Sequence, residues 1–539
     1  MMITVLNDSF SRLIAFTVAV VISLTASSCS AMLPAMSGAP AASGTVSPYS
    51  YGLSKARTGI ERYRVLLKTH QVAVATGRDV DYSGIKKIDI EIPADFVPIP
   101  LTRTNDFKGC EITVRNTSRK VWLFRSENPV KAISVSKKMI DGGDFRSVPA
   151  LSSGRNLLII EDSNPWVNKR EGYEYPHIRK DILLIENGMA VNSAVMPYNN
   201  AQSSPKCTYV RLDGRPFTVK NLVLRRHASC KMVTYVFYVS GYDDVRFSNV
   251  SIYTPENRLN DDAAIRVYDC TNVTMSDVRV EGTYSLPDKS GYGYSLGNVW
   301  NYKAFRLYGK GNWGVFGNNN VNTAYMEDCD INRFDVHCYG RDLSFKNVRF
   351  FDIYNQMAGV YGTIRFDGCT FTDFAPLANG PSFNALVDYD LCFDNCVFNA
   401  TKSMNYLMSI TRLDDVVNPR KELSRKCLPN IYVKNLTVNL SKEVTSFMIF
   451  KIYNLKGKLP TLGYIKDIKL DGVTFNVPEG GRFDKFYIGG TQLKTASAVN
   501  NTFSNIVVVR KGPATRASTA SGNVSVIPNM NVRNKVSSF

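Results

Sequence analysis

Phe217-Thr-Val-Lys-Asn221-Leu-Val-Leu, Val245-Arg-Phe-Ser-Asn249-Val-Ser-Ile and Val273-Thr-Met-Ser-Asp277-Val-Arg-Val repeat one phrase at intervals of 28 residues. The phrase is apolar-x-apolar-x-bend-apolar-x-apolar, with Asn, Asp or Gly at the bend. It returns around Asp328, Asn347, Gly368, Asn395, Asn435 and Gly472. Apolar residues two apart mark strands, and Asn, Asp and Gly tolerate the left-handed backbone of a tight bend. Most bends lie 19 to 28 residues apart, the length of one coil. The gaps from 277 to 328, 395 to 435 and 435 to 472 take a coil plus a loop, or hide an unrecognised coil. Such a period built from period-2 strands indicates a β-solenoid, because one coil cannot bury its apolar face and a stack can. A β-sandwich also has short strands at intervals, but it would not keep reusing one bend phrase.

On this repeat grammar residues 151–510 resemble the right-handed parallel β-helix superfamily of pectate-lyase-like proteins. The resemblance implies an all-β, right-handed parallel β-helix solenoid and says little about reaction. Ile85, Ile88, Ile90 and Ile92 alternate, and Cys110-Glu-Ile-Thr-Val-Arg-Asn continues in strand pattern. Residues 60–150 therefore read as an N-terminal β cap over the open end of the solenoid. The low-complexity run Ala514-Thr-Arg-Ala-Ser-Thr-Ala-Ser-Gly522 marks residues 511–539 as a C-terminal tail.

Residues 1–29 read as a signal peptide: Arg12 precedes Leu13 to Leu24, an apolar run interrupted by Thr17 and Ser23 and too short to span a bilayer. Ala26-Ser27-Ser28-Cys29 resembles a bacterial lipobox, with Ala where Leu is usual, which implies lipidation of Cys29. Cleavage after Ala31 is the competing outcome. Residues 30–59, rich in Ala, Ser, Gly and Pro, read as a flexible tether. The expectation is an exported, envelope-anchored lipoprotein at the outer membrane or in the periplasm, secreted if Cys29 stays unmodified.

The 539 residues carry 65 Lys+Arg against 47 Asp+Glu, a net charge of +18. That balance favours a polyanion or simply keeps an exported protein soluble, and no dense basic run marks a nucleic-acid groove. Of eleven cysteines, Cys329, Cys369 and Cys396 share the slot directly after the bend, as a buried ladder would. No Cys/His spacing matches a zinc site among only four histidines. No cofactor is called for, and calcium finds no Asp-rich cluster.

Two segments carry candidate chemistry. In Asn332-Arg333-Phe334-Asp335-Val336-His337-Cys338, strand alternation sends Phe334, Val336 and Cys338 inward and Arg333, Asp335 and His337 outward. An Asp beside an imidazole suits general acid or base work, and the alternative is a solvated salt-bridge cluster. The segment also resembles a stretch in bacterial and phage β-helix proteins with an Arg-Phe-Asp-x-His signature, which implies a site without naming a reaction. Asn260-Asp261-Asp262-Ala263-Ala264-Ile265-Arg266 loosely resembles the paired-aspartate phrase of polygalacturonase-type hydrolases. With Ile265 and Val267 inward, Asp262, Arg266 and Tyr268 face outward, although Asp261-Asp262 also suits a plain turn. Three coils separate Asp262 from Asp335, roughly 14 Å at about 4.8 Å per strand, too far for one acid/base pair. The intervening 281–322 is rich in Tyr292, Tyr294, Trp300, Trp313, Asn318, Asn319 and Asn320, side chains that stack on and hydrogen-bond to sugars, or that serve turns and core.

The expected function is cleavage of an anionic polysaccharide, by elimination or hydrolysis, in a groove on the outside of the solenoid. Asp335 and His337 are the expected catalytic pair, with Arg333, Arg266, Asp262, Tyr294, Trp313 and Asn319 as substrate contacts. The alternative is a non-catalytic glycan-binding or adhesin-like surface protein, told apart by a long aromatic ladder in place of a tight polar cluster. A phage-type tailspike relative is a third reading, against which the export signal argues. The partners expected are a polysaccharide and a membrane reached through the lipid, not nucleic acid.

Overall fold

The structure is a computed structural model describing residues 44–115, 121–167, 177–193, 205–230, 234–254, 264–282, 292–310, 314–351, 355, 357–372, 377–379, 389–401, 405–411, 430–453, 467–489, 500–510, 524–527 and 537–538. The expected signal peptide, Cys29 and residues 30–43 of the tether lie outside the described residues, as do Asp262 and Trp313. Residues 44–59 are not the flexible tether expected: Thr45–Val46 pairs in parallel with Asp79–Val80, Pro48–Tyr51 forms a 3-10 turn, and Val46 is buried against the core.

A helix, not a strand, opens the segment expected as a β cap. Helix α1, Gly59–Thr76, starts at a capping box: Thr58 Oγ1 accepts from Glu61 N at 3.1 Å, and Glu61 Oε2 accepts from Thr58 N at 2.9 Å. It ends at Gly77 in the left-handed region. Tyr63, Leu66, His70 and Ala73 recur at helical spacing and bury one face. That face lies over β1 (Lys87–Glu91), which pairs in parallel with β2 (Thr104–Arg115). β2 in turn pairs in parallel with Phe217–Arg226, and β3 (Val121–Glu127) with Thr234–Ser240. Residues 87–127 are thus the first coils of the solenoid, and the expected β cap over 60–150 is corrected to a helix laid on those coils. The strand pattern at Ile88 and Ile90 was real; it belonged to the body.

An insertion follows. β4 (Lys131–Ile133), α2 (Lys137–Gly142), β5 (Arg155–Val167), β6 (His177–Glu186), β7 (Met189–Ala190) and β8 (Lys206–Leu212) make an antiparallel sheet ordered β7-β6-β5-β8-β4. Alternation splits its apolar residues cleanly. Leu158, Ile160, Leu183 and Ile185 pack under Ile140 and Phe145, while Leu157, Ile159, Ile182, Leu184, Val210 and Leu212 pack with Trp300 of the solenoid. Arg155 adds an ion pair to the buried Asp243.

The remaining body is parallel: β9 (Phe217–Arg226), β10 (Thr234–Ser240), β11 (Val245–Tyr253), β12 (Ile265–Glu281), β13 (Tyr292–Phe305), β14 (Gly314–Glu327), β15 (Phe334–Lys346), β16 (Met357–Asp367), β17 (Tyr389–Asp394), β18 (Asn430–Leu440), β19 (Asp467–Val477) and β20 (Asn500–Arg510). All nine predicted bends have positive φ, from 52° at Asn249 to 74° at Gly472. Their side chains form a ladder, with Asn249 Nδ2 donating to Asn221 Oδ1 at 2.9 Å and Asn435 Nδ2 to Asn395 Oδ1 at 3.1 Å. The gap from 277 to 328 hides a coil whose bend is Arg306, φ 51°. Inside, rings stack coil upon coil, including Tyr294–Phe316 at 4.7 Å, Phe316–Phe334 at 5.0 Å and Phe345–Phe366 at 5.0 Å. Cys329, Cys369 and Cys396 are buried free thiols in the slot after the bend. The Cys369 thiol beside it, together with burial, pushes the Cys396 thiol up. In the expected tail, β21 (Val524–Ile527) runs antiparallel to β20.

Candidate functional site

The first half of each long strand builds one face of the solenoid: β3, β10, then the leading residues of β12, β13, β14 and β15 in parallel register. Phe124, Phe237, Ile265, Tyr294, Phe316 and Phe334 form its buried inner column. Period-2 alternation therefore fixes the outer column beside it. Arg125 pairs with Tyr238, Tyr238 with Arg266, and Arg266 with Ser295; two residues on, Ser240 pairs with Tyr268, Tyr268 with Gly297 and Gly297 with Asn319.

That outer face is paved with rings and guanidinium groups. Trp122 stacks on Tyr235 at 4.2 Å and lies 5.3 Å from Tyr238, and Tyr238 runs nearly parallel to Tyr268 at 6.4 Å. The Arg125 guanidinium lies 5.3 Å from the Tyr238 ring, and that of Arg266 lies 4.9 Å from Tyr268 and 5.4 Å from Trp122. Each such contact is worth about 0.5–2 kcal/mol, more as water is excluded. Burial pushes the Tyr238 phenol up, so it stays a neutral hydrogen-bond donor. Arg125 also pairs with Glu127 at 2.8 Å.

At the corner beyond Tyr268, Asp269 accepts from Asn298 Nδ2 at 2.7 Å and from Ser240 Oγ at 3.3 Å. Burial holds its carboxyl above the usual range against those two bonds. Lys180 and Glu161 of the insertion, paired at 2.6 Å, act electrostatically on the same carboxyl. The insertion therefore borders the paved face along this corner.

The expected site residues separate. Arg266 and Asn319 do stand on the outer face, with Asn319 exposed. Tyr294 does not: it is a buried core ring whose hydroxyl donates to Tyr308 O at 3.0 Å. It shares the parity of Leu296, and that signal was readable. Arg333 and Asp335 were expected in solvent, yet they are 1% and 0% exposed and form an ion pair. Alternation names a side of the sheet without saying whether that side is open. Here Gly317, the partner of Asp335, carries the Tyr292 ring on its outer side. The buried Asn355 Oδ1 accepts from Phe334 N at 2.7 Å and completes the enclosure. The His337 side chain lies outside the described residues; its backbone pairs with Ala358. Sequence reasoning missed Trp122, Arg125, Tyr235, Tyr238 and the role of Tyr292. The apolar neighbours Phe237 and Val239 already implied that Tyr238 points out.

Among the described residues no group of three or more His, Cys, Asp or Glu could hold a metal ion, and no helix is long and apolar enough to cross a membrane. Strand order and bend ladders define the chain as a parallel β-helix protein. No protein-family model and no curated protein matches it. Its fold is similar to that of the tailspike protein gp49 from Pseudomonas phage LKA1, with TM-score 0.55 and 13% identity over 86% of this chain and 81% of that one. The Gp54 tailspike of Acinetobacter baumannii bacteriophage AP22, solved with a capsular saccharide, gives TM-score 0.43 and 12% identity over 86% and 79%. An exopolygalacturonase from Thermotoga maritima gives 0.32 and 11% over 92% and 95%. The likeness to the LKA1 protein is one of fold.

Proposed function

We propose that this protein binds an anionic polysaccharide along the outer face built by β3, β10, β12, β13 and β14. The observation that carries the reading is the ring-and-guanidinium pavement of Trp122, Tyr238 and Tyr268 with Arg125 and Arg266, in which Trp122 is seated on the buried Tyr235. Sugar rings stack on aromatic faces, and arginine takes carboxylate or sulfate. Successive coils repeat at about 4.8 Å, close to the length a pyranose adds to a chain, so a glycan lying along the axis meets one coil per sugar. The net charge of +18 supports a polyanion over a neutral glucan. The leader read in residues 1–29 and the lipidation read at Cys29 place this binding at the cell envelope as part of the same proposal.

Cleavage is the second reading, and Asp269 is what favours it. Its raised carboxyl gives up a proton at higher pH than an exposed one, which suits a general acid beside Tyr268. The buried Arg333–Asp335 pair gives that reading no support. The test is titration of the full chain with polygalacturonate, alginate, hyaluronan, dextran sulfate and dextran, with product size and unsaturated-uronate absorbance followed in the same tubes. Binding of a polyanion without cleavage is the expected result. Shortened chains that disappear in Asp269→Asn would establish the second reading, and no binding across the panel would sink both.

A further inference from the structure

Gly297 and Gly317 lie on the outer side of neighbouring strands, β13 and β14, one strand step along the axis and two residues across. Neither has positive φ, so their backbone does not call for glycine. The space above them does. A methyl group at Gly297 would lie 2.5 Å from Cε1 and 2.7 Å from Cδ1 and Cζ of Tyr268. One at Gly317 would overlap Cγ, Cδ2 and Cε2 of Tyr292 in the same manner. Three consecutive ring atoms at nearly equal distance put each glycine beneath the face of its ring, not its edge. Tyr268 thus reaches from β12 onto β13, and Tyr292 from β13 onto β14, each lying flat. The Tyr268 hydroxyl, 3.3 Å from Ser295 Oγ, fixes the first ring in that attitude.

We infer that Tyr268 and Tyr292 are two neighbouring sugar subsites, each stacking one pyranose, and that Gly297 and Gly317 position them. This rests on the glycan-binding reading above. A ring lying parallel to the sheet is a platform, where a ring standing on edge is only a ridge. Arg266, 4.9 Å from the Tyr268 ring, makes that subsite the one for a carboxylated pyranose. The exposed Asn319, paired with Gly297, adds an amide beside it for a sugar hydroxyl.

The experiment is calorimetric titration of the full chain with hexasaccharides of polygalacturonate, alginate, hyaluronan and dextran. Wild type is compared with G297A, G317A, Y268L, Y292L and the double variant G297A/Y268L. G297A and Y268L are each expected to weaken binding of the acidic hexasaccharides roughly three- to tenfold, the loss of one ring contact. The melting temperature should stay near that of wild type, since the displaced ring ends a side chain at the surface. G297A is expected to add nothing once Tyr268 is gone, which a merely structural glycine would not obey. Unchanged binding in G297A and Y268L, or fully additive effects in the double variant, overturns the inference and leaves the glycan reading intact. Failure of wild type to bind any hexasaccharide strikes the glycan reading itself. Should G297A not fold, Y268L and Y292L decide the matter alone.

Discussion

Arg333 and Asp335 form an ion pair across Phe334 with both side chains buried. Two charges taken out of water cost several kcal/mol, repaid only while each keeps the other. Removing one partner by Asp335→Ala or Arg333→Ala is expected to cost about 3–5 kcal/mol in urea unfolding. Replacing both at once by Arg333→Met and Asp335→Leu should cost much less. If each single change is as mild as the double, the pair is not buried as described.

His70 projects from the buried face of α1, with Nε2 2.8 Å from Tyr82 OH and rings of Phe107 and Phe124 around it. Burial lowers its pKa to about 4 from 6.5. The unfolded chain therefore binds the proton first as pH falls, so stability drops between pH 6.5 and about 4 and is recovered on raising pH. The drop amounts to roughly 3 kcal/mol at about 1.4 kcal/mol per unit. Urea midpoints at pH 7 and pH 4.5 measure it, and His70→Phe should flatten that part of the profile.

Arg306 occupies a bend where its neighbours along the stack have Asn, Asp or Gly, and its Nε and Nη2 lie 2.7 and 2.8 Å from the Asp277 carboxylate one coil back. Both side chains are at least half exposed, so solvent screens the pair and it contributes little to stability. Arg306→Asn should leave the melting temperature almost unchanged, because Asn tolerates φ 51° and can rejoin the amide ladder. Arg306→Val puts a β-branched residue into left-handed backbone and should destabilise by about 1–3 kcal/mol.

Asp243 is held by Thr271 Oγ1 at 2.6 Å, by Asn272 Nδ2 at 2.8 Å and by Arg155 of the insertion. Arg155→Ala removes its only charged partner among the described residues and should loosen the insertion while sparing the coils. Hydrogen exchange is expected to rise in β5, β6 and β8 with no change in β18 or β19. Equal acceleration throughout would mean that the insertion and the solenoid open as one unit.

Much of the fold was written in the nine bend phrases, because a left-handed position admits few side chains and those few repeat in sequence. Arg306 escaped since Tyr302-Lys-Ala-Phe-Arg306-Leu keeps the alternation and breaks only the bend alphabet. The coils at 87–127 escaped because they are split from the rest by an antiparallel insertion whose apolar strands, Leu157 to Ile160 and Ile182 to Ile185, carry no bend phrase. The site was less legible for a physical reason. Alternation separated Arg266 and Tyr268 from Ile265 and Val267 correctly, but openness depends on what other segments lay over the sheet. Asp335 and Arg266 look alike in sequence, and one is sealed while the other lies among surface rings.

β21 runs backward along the free edge of β20. A parallel edge left bare accepts another coil from any source, whereas a reversed strand from the same chain ends the series. At the opposite end α1 does the same duty over β1. The solenoid is therefore a ruler with two stops: its count of coils is finite, and any polymer laid along it is measured in a fixed number of units.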